Sequence, residues 1–173
     1  MTPTRAPHVL VVDDEQFVRD LLQDYFTKME FSVVTAADGQ AGIDACRRER
    51  FDVALVDLKM PGKGGIEVLA EVREIDASLP VVVMTGYPTI DSSIEAIRRG
   101  AYDYIIKPFK LQELKELIDR AVKEQTLSRE IEDLRQRLTH VESELRQYRS
   151  RSECRATVAA APAPGALWHD ITP

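Results

Sequence analysis

Hydrophobic residues in the first 110 positions follow two alternating patterns. Apolar residues recur every three or four positions in some segments, which predicts amphipathic helices. Between these segments, short runs rich in β-branched residues predict five strands, at His8–Val12, Ser32–Ala36, Asp52–Leu58, Pro80–Met84 and Asp103–Ile106. Three of these runs are almost continuously apolar, which is typical of strands covered on both faces of a parallel sheet. The alternation therefore predicts a doubly wound α/β domain with a five-stranded parallel sheet.

A different spacing follows Ile118. The apolar positions step by four and three residues, which is the heptad repeat of a coiled coil, at Leu127, Ile131, Leu134, Leu138, Val141, Leu145 and Tyr148. We expect one helix to continue out of the domain into a two-stranded coiled coil; the alternative is an amphipathic helix that folds back on the domain. The predicted organisation is a domain at 8–122, a coiled-coil helix at 123–150 and a disordered Ala/Pro-rich tail at 151–173.

Composition restricts the class of protein further. The 173 residues include only two cysteines, which excludes a disulfide scaffold. No apolar run reaches the ~20 residues that span a bilayer, and residues 1–7 lack the apolar core of a signal peptide, so we expect a cytoplasmic protein with no membrane contact. The net charge of −6 argues against a general nucleic-acid-coating protein.

Acidic side chains stand where two predicted strands end. Asp13 and Asp14 follow the first strand, and Asp57 lies at the end of the third. Ligands of doubly wound sheets bind at the carboxyl ends of the strands, and these two strands are neighbours in sheets of this type. Carboxylate pairs at ~5 Å repel by roughly 3 kcal/mol at an effective dielectric constant of 20, so three of them require a cation. Hard oxygen ligands favour Mg²⁺. Taken singly, Asp14 could be a helix N-cap, and Asp13 or Asp57 a loop aspartate.

Two further polar residues follow the remaining strands. Thr85 offers a hydroxyl after the fourth strand, and Lys107 offers an ammonium group after the fifth. Acids, a metal, a hydroxyl and an ammonium can together hold a phosphoryl group during transfer. A carboxylate can itself be the nucleophile and form an aspartyl phosphate. Asp57, on the central strand between the acidic pair and Thr85, is the candidate for that role.

Four segments carry a resemblance to a known family: VLVVDDE (9–15), VDLKMPGKGGIEVL (56–69), MTG (84–86) and GAYDYIIKPF (100–109). They resemble the receiver domains of two-component response regulators over about residues 8–122. Residues 85–109 are most similar to receivers of nitrogen-regulation-type enhancer-binding activators. The resemblance implies a flavodoxin-like sheet in the order 2-1-3-4-5. It also implies a signalling protein that catalyses only its own phosphoryl transfer and dephosphorylation.

The resemblance also implies roles for individual residues. Asp57 would accept a phosphoryl group from a sensor histidine kinase. Asp14, Asp57 and the backbone carbonyl of Lys59 would bind Mg²⁺ directly, and Asp13 would bind it through a water. Thr85 and Lys107 would contact the phosphoryl group, Tyr104 would be the switch aromatic, and the Lys107–Pro108 peptide bond would be cis.

The expected output is a change in protein contacts. We define the output face as residues 88–99, 103–106 and 109–122. Phosphorylation would draw Thr85 toward the phosphoryl group, let Tyr104 turn inward, and change this face and the coiled coil through which a homodimer would form. The linker arginines are interleaved with acids, which favours a solvated coiled-coil face over direct DNA binding. The alternative is a phosphorylation-independent dimeric adaptor with an inert receiver fold. A free-standing regulator and a piece of a longer one with an ATPase or DNA-binding domain both stay open.

Overall fold

The computed structural model describes residues 5–86 and 89–159. Five strands and five helices alternate within them. In chain order they are β1 (His8–Val12), α1 (Gln16–Lys28), β2 (Ser32–Ala36), α2 (Gly39–Arg48), β3 (Val53–Asp57), α3 (Gly65–Ile75), β4 (Val81–Thr85), α4 (Ile90–Arg98), β5 (Asp103–Ile106) and α5 (Leu111–Ala159). Every predicted strand and helix of the domain is present, with strand ends that differ from the prediction by at most one residue.

All five strands run parallel, in the order β2-β1-β3-β4-β5. The doubly wound fold with this strand order is therefore confirmed. Val12 of β1 is aligned with Val56 of β3, and Thr85 of β4 is aligned with Ile106 of β5. This register brings the residues that follow β1, end β3 and follow β5 to one edge of the sheet.

The core lies in two layers, one on each face of the sheet. Residues alternate between the layers along β1: Val9 and Val11 pack with Leu22 of α1 and Ile118 of α5, whereas Leu10 and Val12 pack with side chains of α2 and α3. Both layers are fully enclosed, which explains why β1, β3 and β4 are almost continuously apolar in sequence. Burying each such valine or leucine contributes about 1.5–3 kcal/mol, so the strands are held rigidly beneath the edge where the polar residues lie.

Gly100 ends α4 as the sequence predicts. Its φ of 91° lies in the left-handed region that favours glycine. The backbone N–H of Ala101 donates to the carbonyl of Ala96 at 2.9 Å, and that of Gly100 donates to Ile97 at 3.0 Å, which is the pattern of a glycine-terminated helix. This turn sets the entry of the chain into β5, which is one of the two edge strands of the sheet.

Polar contacts fix α5 to the end of the sheet opposite the acidic residues. Arg129 donates to Asp52 at 2.6 Å and to the carbonyl of Phe51 at 2.9 Å. The buried Gln125 donates to the Ser78 hydroxyl at 3.1 Å. Burial opposes ionisation of Asp52, but the backbone N–H of His8 and the nearby arginines outweigh it and lower the Asp52 pKa. The helix is thus held against the domain as far as Arg129, seven residues beyond the predicted domain end at 122.

Beyond Arg129 the chain forms a second compact unit, which begins at Glu130. Its described part is the continuation of α5 to Ala159. Residues 151–159 are therefore helical, although the sequence led us to expect disorder from 151 onward. After Pro108 the next proline is Pro162, so residues 151–159 lack the helix breaker that the Ala/Pro-rich composition suggested. The rest of the predicted tail, 160–173, lies outside the described residues. Within the described ranges no helix has the length and apolarity needed to cross a membrane.

Candidate functional site

Three carboxylates meet at the carboxyl edge of the sheet. Asp57 is the last residue of β3, and Asp13 and Asp14 follow β1 directly. One oxygen from each lies within 4.8 Å of the other two. Asp13 and Asp57 are buried, whereas Asp14 is exposed. The predicted convergence of these residues is therefore observed, and the group opens to solvent on the side of Asp14.

Lys107 brings a positive charge to this group. Its Nζ atom lies 2.8 Å from Asp13, 3.4 Å from Asp57 and 3.4 Å from Glu15. Burial disfavours the charged ammonium, but the hydrogen bond to Asp13 and the charges of Asp57 and Glu15 outweigh it and raise the pKa of Lys107. The lysine is therefore charged at neutral pH and compensates part of the acidic charge.

Burial is the main influence on Asp57. It raises the pKa of the carboxyl, Asp13 and Asp14 raise it further, and Lys107 lowers it, with a net result of about 6. The carboxylate therefore predominates at neutral pH but costs free energy to form. A cation placed among the three acids would remove that cost, which is the physical argument for a metal at this site.

The Asp13 carboxylate is held in place by one backbone group and one lysine. Its Oδ1 accepts from the backbone N–H of Glu15 at 2.9 Å, while Oδ2 accepts from Lys107. The N-cap residue of α1 is Glu15, so the helix-capping alternative for Asp14 does not apply. With both oxygens of Asp13 engaged and Asp14 exposed, Asp14 has the freer approach to an incoming ion.

Arg19 supports the loop that carries Asp13 and Asp14, which we call the acidic loop. The sequence did not predict this role. Its guanidinium donates to the backbone carbonyls of Asp13 at 2.8 Å and Asp14 at 2.9 Å. In sequence Arg19 is one of several polar residues on α1, and nothing in the pattern distinguishes it. Its role depends on how α1 begins immediately after the loop, which only the folded chain shows.

Gly65 is a second unpredicted contributor. A Cβ at this position would clash with the carbonyl oxygen of Asp57 and would lie 2.8 Å from the Cα of Leu58. Its backbone N–H donates to the carbonyl of Leu58 at 3.0 Å. Glycine thus allows the start of α3 to approach the end of β3 and fixes the backbone that carries Asp57.

Thr85 and Tyr104 lie on the neighbouring strands. Thr85 is buried at the end of β4, and its carbonyl accepts from the backbone N–H of Lys107 at 2.7 Å, which joins the ends of β4 and β5. Tyr104, on β5, is 39% exposed. The Lys107–Pro108 peptide bond is cis, which confirms that expectation. Lys59 lies in the loop after β3, two residues beyond Asp57.

The acidic group can hold a divalent cation, because it offers three carboxylate oxygens within a small distance. Protons and a metal ion compete for the same oxygens, so affinity depends on pH. With the Asp57 pKa near 6, we expect Mg²⁺ affinity to be high at pH 7 and to fall by up to about tenfold per unit below pH 6.

Calorimetric titration of the chain with Mg²⁺ between pH 5 and pH 8 measures this dependence. Asp57→Asn is the matched variant: it should bind Mg²⁺ more weakly at pH 7 and lose the step near pH 6. Equal affinity for Mg²⁺ at pH 5 and pH 7 in the unmodified chain would show that Asp57 is not a ligand.

Comparison with known proteins gives a consistent result. The family model described as the response regulator receiver domain matches residues 9–119. Regulatory protein AtoC of Escherichia coli K12 is 38% identical over 136 residues, covering 79% of this chain and 30% of AtoC. Sporulation initiation phosphotransferase F of Bacillus subtilis 168 is 35% identical over 112 residues, covering 65% of this chain and 90% of that protein. The chain thus spans under a third of AtoC but almost all of the phosphotransferase.

Solved structures agree with the sequence comparison. A CheY-like receiver domain protein from Methanospirillum hungatei JF-1 superposes with a TM-score of 0.69 at 28% identity, covering 71% of this chain and 98% of that one. NtrX from Brucella abortus gives a TM-score of 0.70 at 35% identity, covering 75% of this chain and 30% of NtrX. Both similarities are confined to part of the chain.

Proposed function

The chain belongs to the response regulator receiver domain family, and from that premise we propose that it accepts a phosphoryl group on Asp57 from a sensor histidine kinase. Membership of the family supports a role in two-component phosphorelay signalling. The observation that carries the specific proposal is the meeting of Asp57 with Asp13, Asp14 and Lys107 at one edge of the sheet. In this proposal the receiver domain of the chain covers residues 8–122.

The proposed chemistry is a displacement at phosphorus. An oxygen of the Asp57 carboxylate forms a bond to phosphorus as the bond between phosphorus and the imidazole nitrogen of phosphohistidine breaks. The electron pair of the broken bond stays on that nitrogen, which then takes a proton. Because the Asp57 pKa is near 6, most of the nucleophile is ionised at pH 7.

The residues present fit Mg²⁺, since they supply hard oxygen ligands and the cluster lies open on the side of Asp14. We propose Asp14, Asp57 and the Lys59 carbonyl as direct ligands, with Asp13 acting through a water. When bound, Mg²⁺ supplies positive charge against the oxygens of the transferred group. Lys107 would donate to a second phosphoryl oxygen and Thr85 to a third, so that charge is neutralised on several sides.

The proposed output is a change in the output face, followed by homodimerisation through that face and the coiled-coil helix at 123–150. Four apolar side chains of α4 and β5 support this surface, because they are 39–47% exposed: Ile94, Ile97, Tyr104 and Ile106. Within the face, Pro88 lies outside the described residues. Movement of Thr85 toward the phosphoryl group would open space behind β4 into which Tyr104 can turn.

Light scattering of the full chain tests the switch. Adding beryllofluoride with Mg²⁺, which mimics the phosphoryl group, should strengthen self-association by about tenfold, a coupling of ordinary size. Thr85→Ala should still bind beryllofluoride but lose most of this gain, because the group that transmits the change is absent.

Thr35→Ala, on β2 at the other side of the sheet, is the matched control and should respond like the unmodified chain. An equal response of all three proteins would refute a role for Thr85 in transmission. If beryllofluoride does not change the self-association of the unmodified chain, the result would instead favour the phosphorylation-independent adaptor.

A further inference from the structure

The helix beyond the receiver domain carries an uncovered apolar stripe. Every described side chain from Glu130 to Glu153 is exposed. Six large apolar residues lie among them at heptad spacing and are 50–73% exposed, namely Ile131, Leu134, Leu138, Val141, Leu145 and Tyr148. A helix gains most of its stability from packing an apolar face, and these residues pack on nothing within the described chain. The stripe therefore requires a partner surface of the same length.

Charged residues flank this stripe in a regular order. With Ile131, Leu138 and Leu145 as a positions, the g positions just before them are Glu130, Arg137 and Glu144. The e positions, which follow the d residues Leu134, Val141 and Tyr148, are Arg135, Glu142 and Arg149. The sign of the charge alternates along the g positions and along the e positions. Each g residue also has the opposite charge to the e residue five positions later in the sequence.

We propose that this helix pairs with the same helix of a second copy of the chain, parallel and in register. In such a pair each g residue faces the e residue five positions further along the other strand. Glu130, Arg137 and Glu144 of each copy would then face Arg135, Glu142 and Arg149 of the other. The proposal rests on the homodimer proposed above and specifies its orientation and register.

The charges select the register. Sliding one strand by a heptad in either direction places Glu against Glu or Arg against Arg at the e and g positions, because the sign alternates from one heptad to the next. Arg137 also contacts Asp133 of its own helix at 2.8 Å, and its guanidinium has enough donors for both carboxylates. Among parallel alignments, only the in-register one pairs all three opposite charges on each side.

Orientation follows from the length of the helix. An antiparallel pair would also join opposite charges, with Glu130 facing Arg151 and Arg137 facing Glu144 of the other copy. It would place residue 131 beside residue 148, however, and so separate the two copies of residue 131 by about 25 Å at 1.5 Å per residue. The receiver domains precede the helix in the chain, so they would join the antiparallel pair at opposite ends, whereas the homodimerisation proposed through the output faces calls for both domains at the same end.

Charge reversal in the full chain distinguishes these arrangements. The g-reversed variant combines Glu130→Arg, Arg137→Glu, Glu144→Arg and Arg151→Glu. The e-reversed variant combines Arg135→Glu, Glu142→Arg and Arg149→Glu. In the parallel pair each variant alone brings like charges together, so its dissociation constant, from sedimentation equilibrium at low salt, should rise by at least about tenfold. An equimolar mixture restores every opposite pair, and heterodimers should form with the affinity of the unmodified chain.

The other outcomes overturn the proposal. In an antiparallel pair the charges of both partners reverse together, so each variant alone would keep the original affinity. A mixture as weak as its components would mean that the e and g charges do not face each other in this register, and a monomeric unmodified chain would mean that the stripe has another partner. None of these measurements uses a phosphoryl donor, so a chain that pairs as proposed but cannot be loaded at Asp57 refutes the proposed function alone.

Discussion

Asp57→Asn should abolish the mass increase that acetyl phosphate and Mg²⁺ produce in the unmodified chain. The amide oxygen of asparagine is neutral and far less nucleophilic than a carboxylate. Of the two other acids in the cluster, Asp13 has both oxygens engaged by Glu15 and Lys107, and Asp14 is exposed. We expect incorporation to fall by at least about 10³-fold, because loss of the nucleophile removes the reaction itself. Intact-protein mass spectrometry measures it directly.

Asp24→Asn is the matched control, since Asp24 is exposed on α1, away from the sheet edge. It should load like the unmodified chain. Loading of Asp57→Asn at the normal rate would show that another residue is the acceptor, and no loading of either protein would favour the inert adaptor.

Asp57→Asn should be more stable than the unmodified chain in the absence of metal. This result would separate loss of chemistry from loss of fold. The folded-state pKa of Asp57 is raised from 3.8 to about 6, so its ionisation opposes folding. The protonated carboxyl of Asp57 stabilises the fold at low pH. This contribution to the free energy of unfolding is lost as pH rises from about 4 to about 6, by up to about 3 kcal/mol. Asparagine has no such cost. Urea unfolding should therefore show a gap in favour of the variant that opens between pH 4 and pH 6.

The sequence was sufficient to predict most of the fold, for physical reasons that can be stated. Fully buried parallel strands are continuously apolar, and helices that cover them carry one apolar stripe, so β1, β3 and β4 and the helices between them could be recognised. The positions of Asp13, Asp57 and Lys107 could then be predicted from where their strands end. A rule of topology, rather than any feature local to these residues, brings them together.

What the sequence did not reveal depends on contacts between distant residues. The position of Arg129 against Asp52 joins residues 77 positions apart, and neither has a distinctive neighbourhood. Arg19 acts on the backbone of the loop that follows β1, and Gly65 on the backbone at the end of β3. A hydrophobic–polar pattern does not distinguish Arg19 from other polar residues or Gly65 from other glycines. The end of α5 differs from the prediction for another reason: the Ala/Pro-rich composition predicts disorder from 151, but no proline lies between Pro108 and Pro162 to break the helix.

The site combines two requirements that oppose each other. Burial keeps water away from Asp57 and raises its pKa, yet the proposed reaction needs the ionised form. Lys107 resolves part of this conflict without a metal, because its ammonium lies between Asp13 and Asp57. The fold without metal should therefore depend on this lysine more than on any exposed one.

Lys107→Met should lower the free energy of unfolding of the metal-free chain by about 2–4 kcal/mol, because it leaves the buried Asp13 without its charged partner. Saturating Mg²⁺ should recover much of the loss, since a cation among the same carboxylates replaces the missing positive charge. Mg²⁺ should also bind more tightly to the variant, as the ammonium 3.4 Å from Asp57 no longer repels it. Urea unfolding with and without Mg²⁺ measures the stability changes, and calorimetric titration measures the affinity.

Lys110→Met is the matched control for loss of a lysine, because the Lys110 side chain is 84% exposed, and it should change neither quantity. If Mg²⁺ leaves the deficit of Lys107→Met unchanged, the metal and the lysine do not act on the same carboxylates, and the proposed arrangement of the site fails.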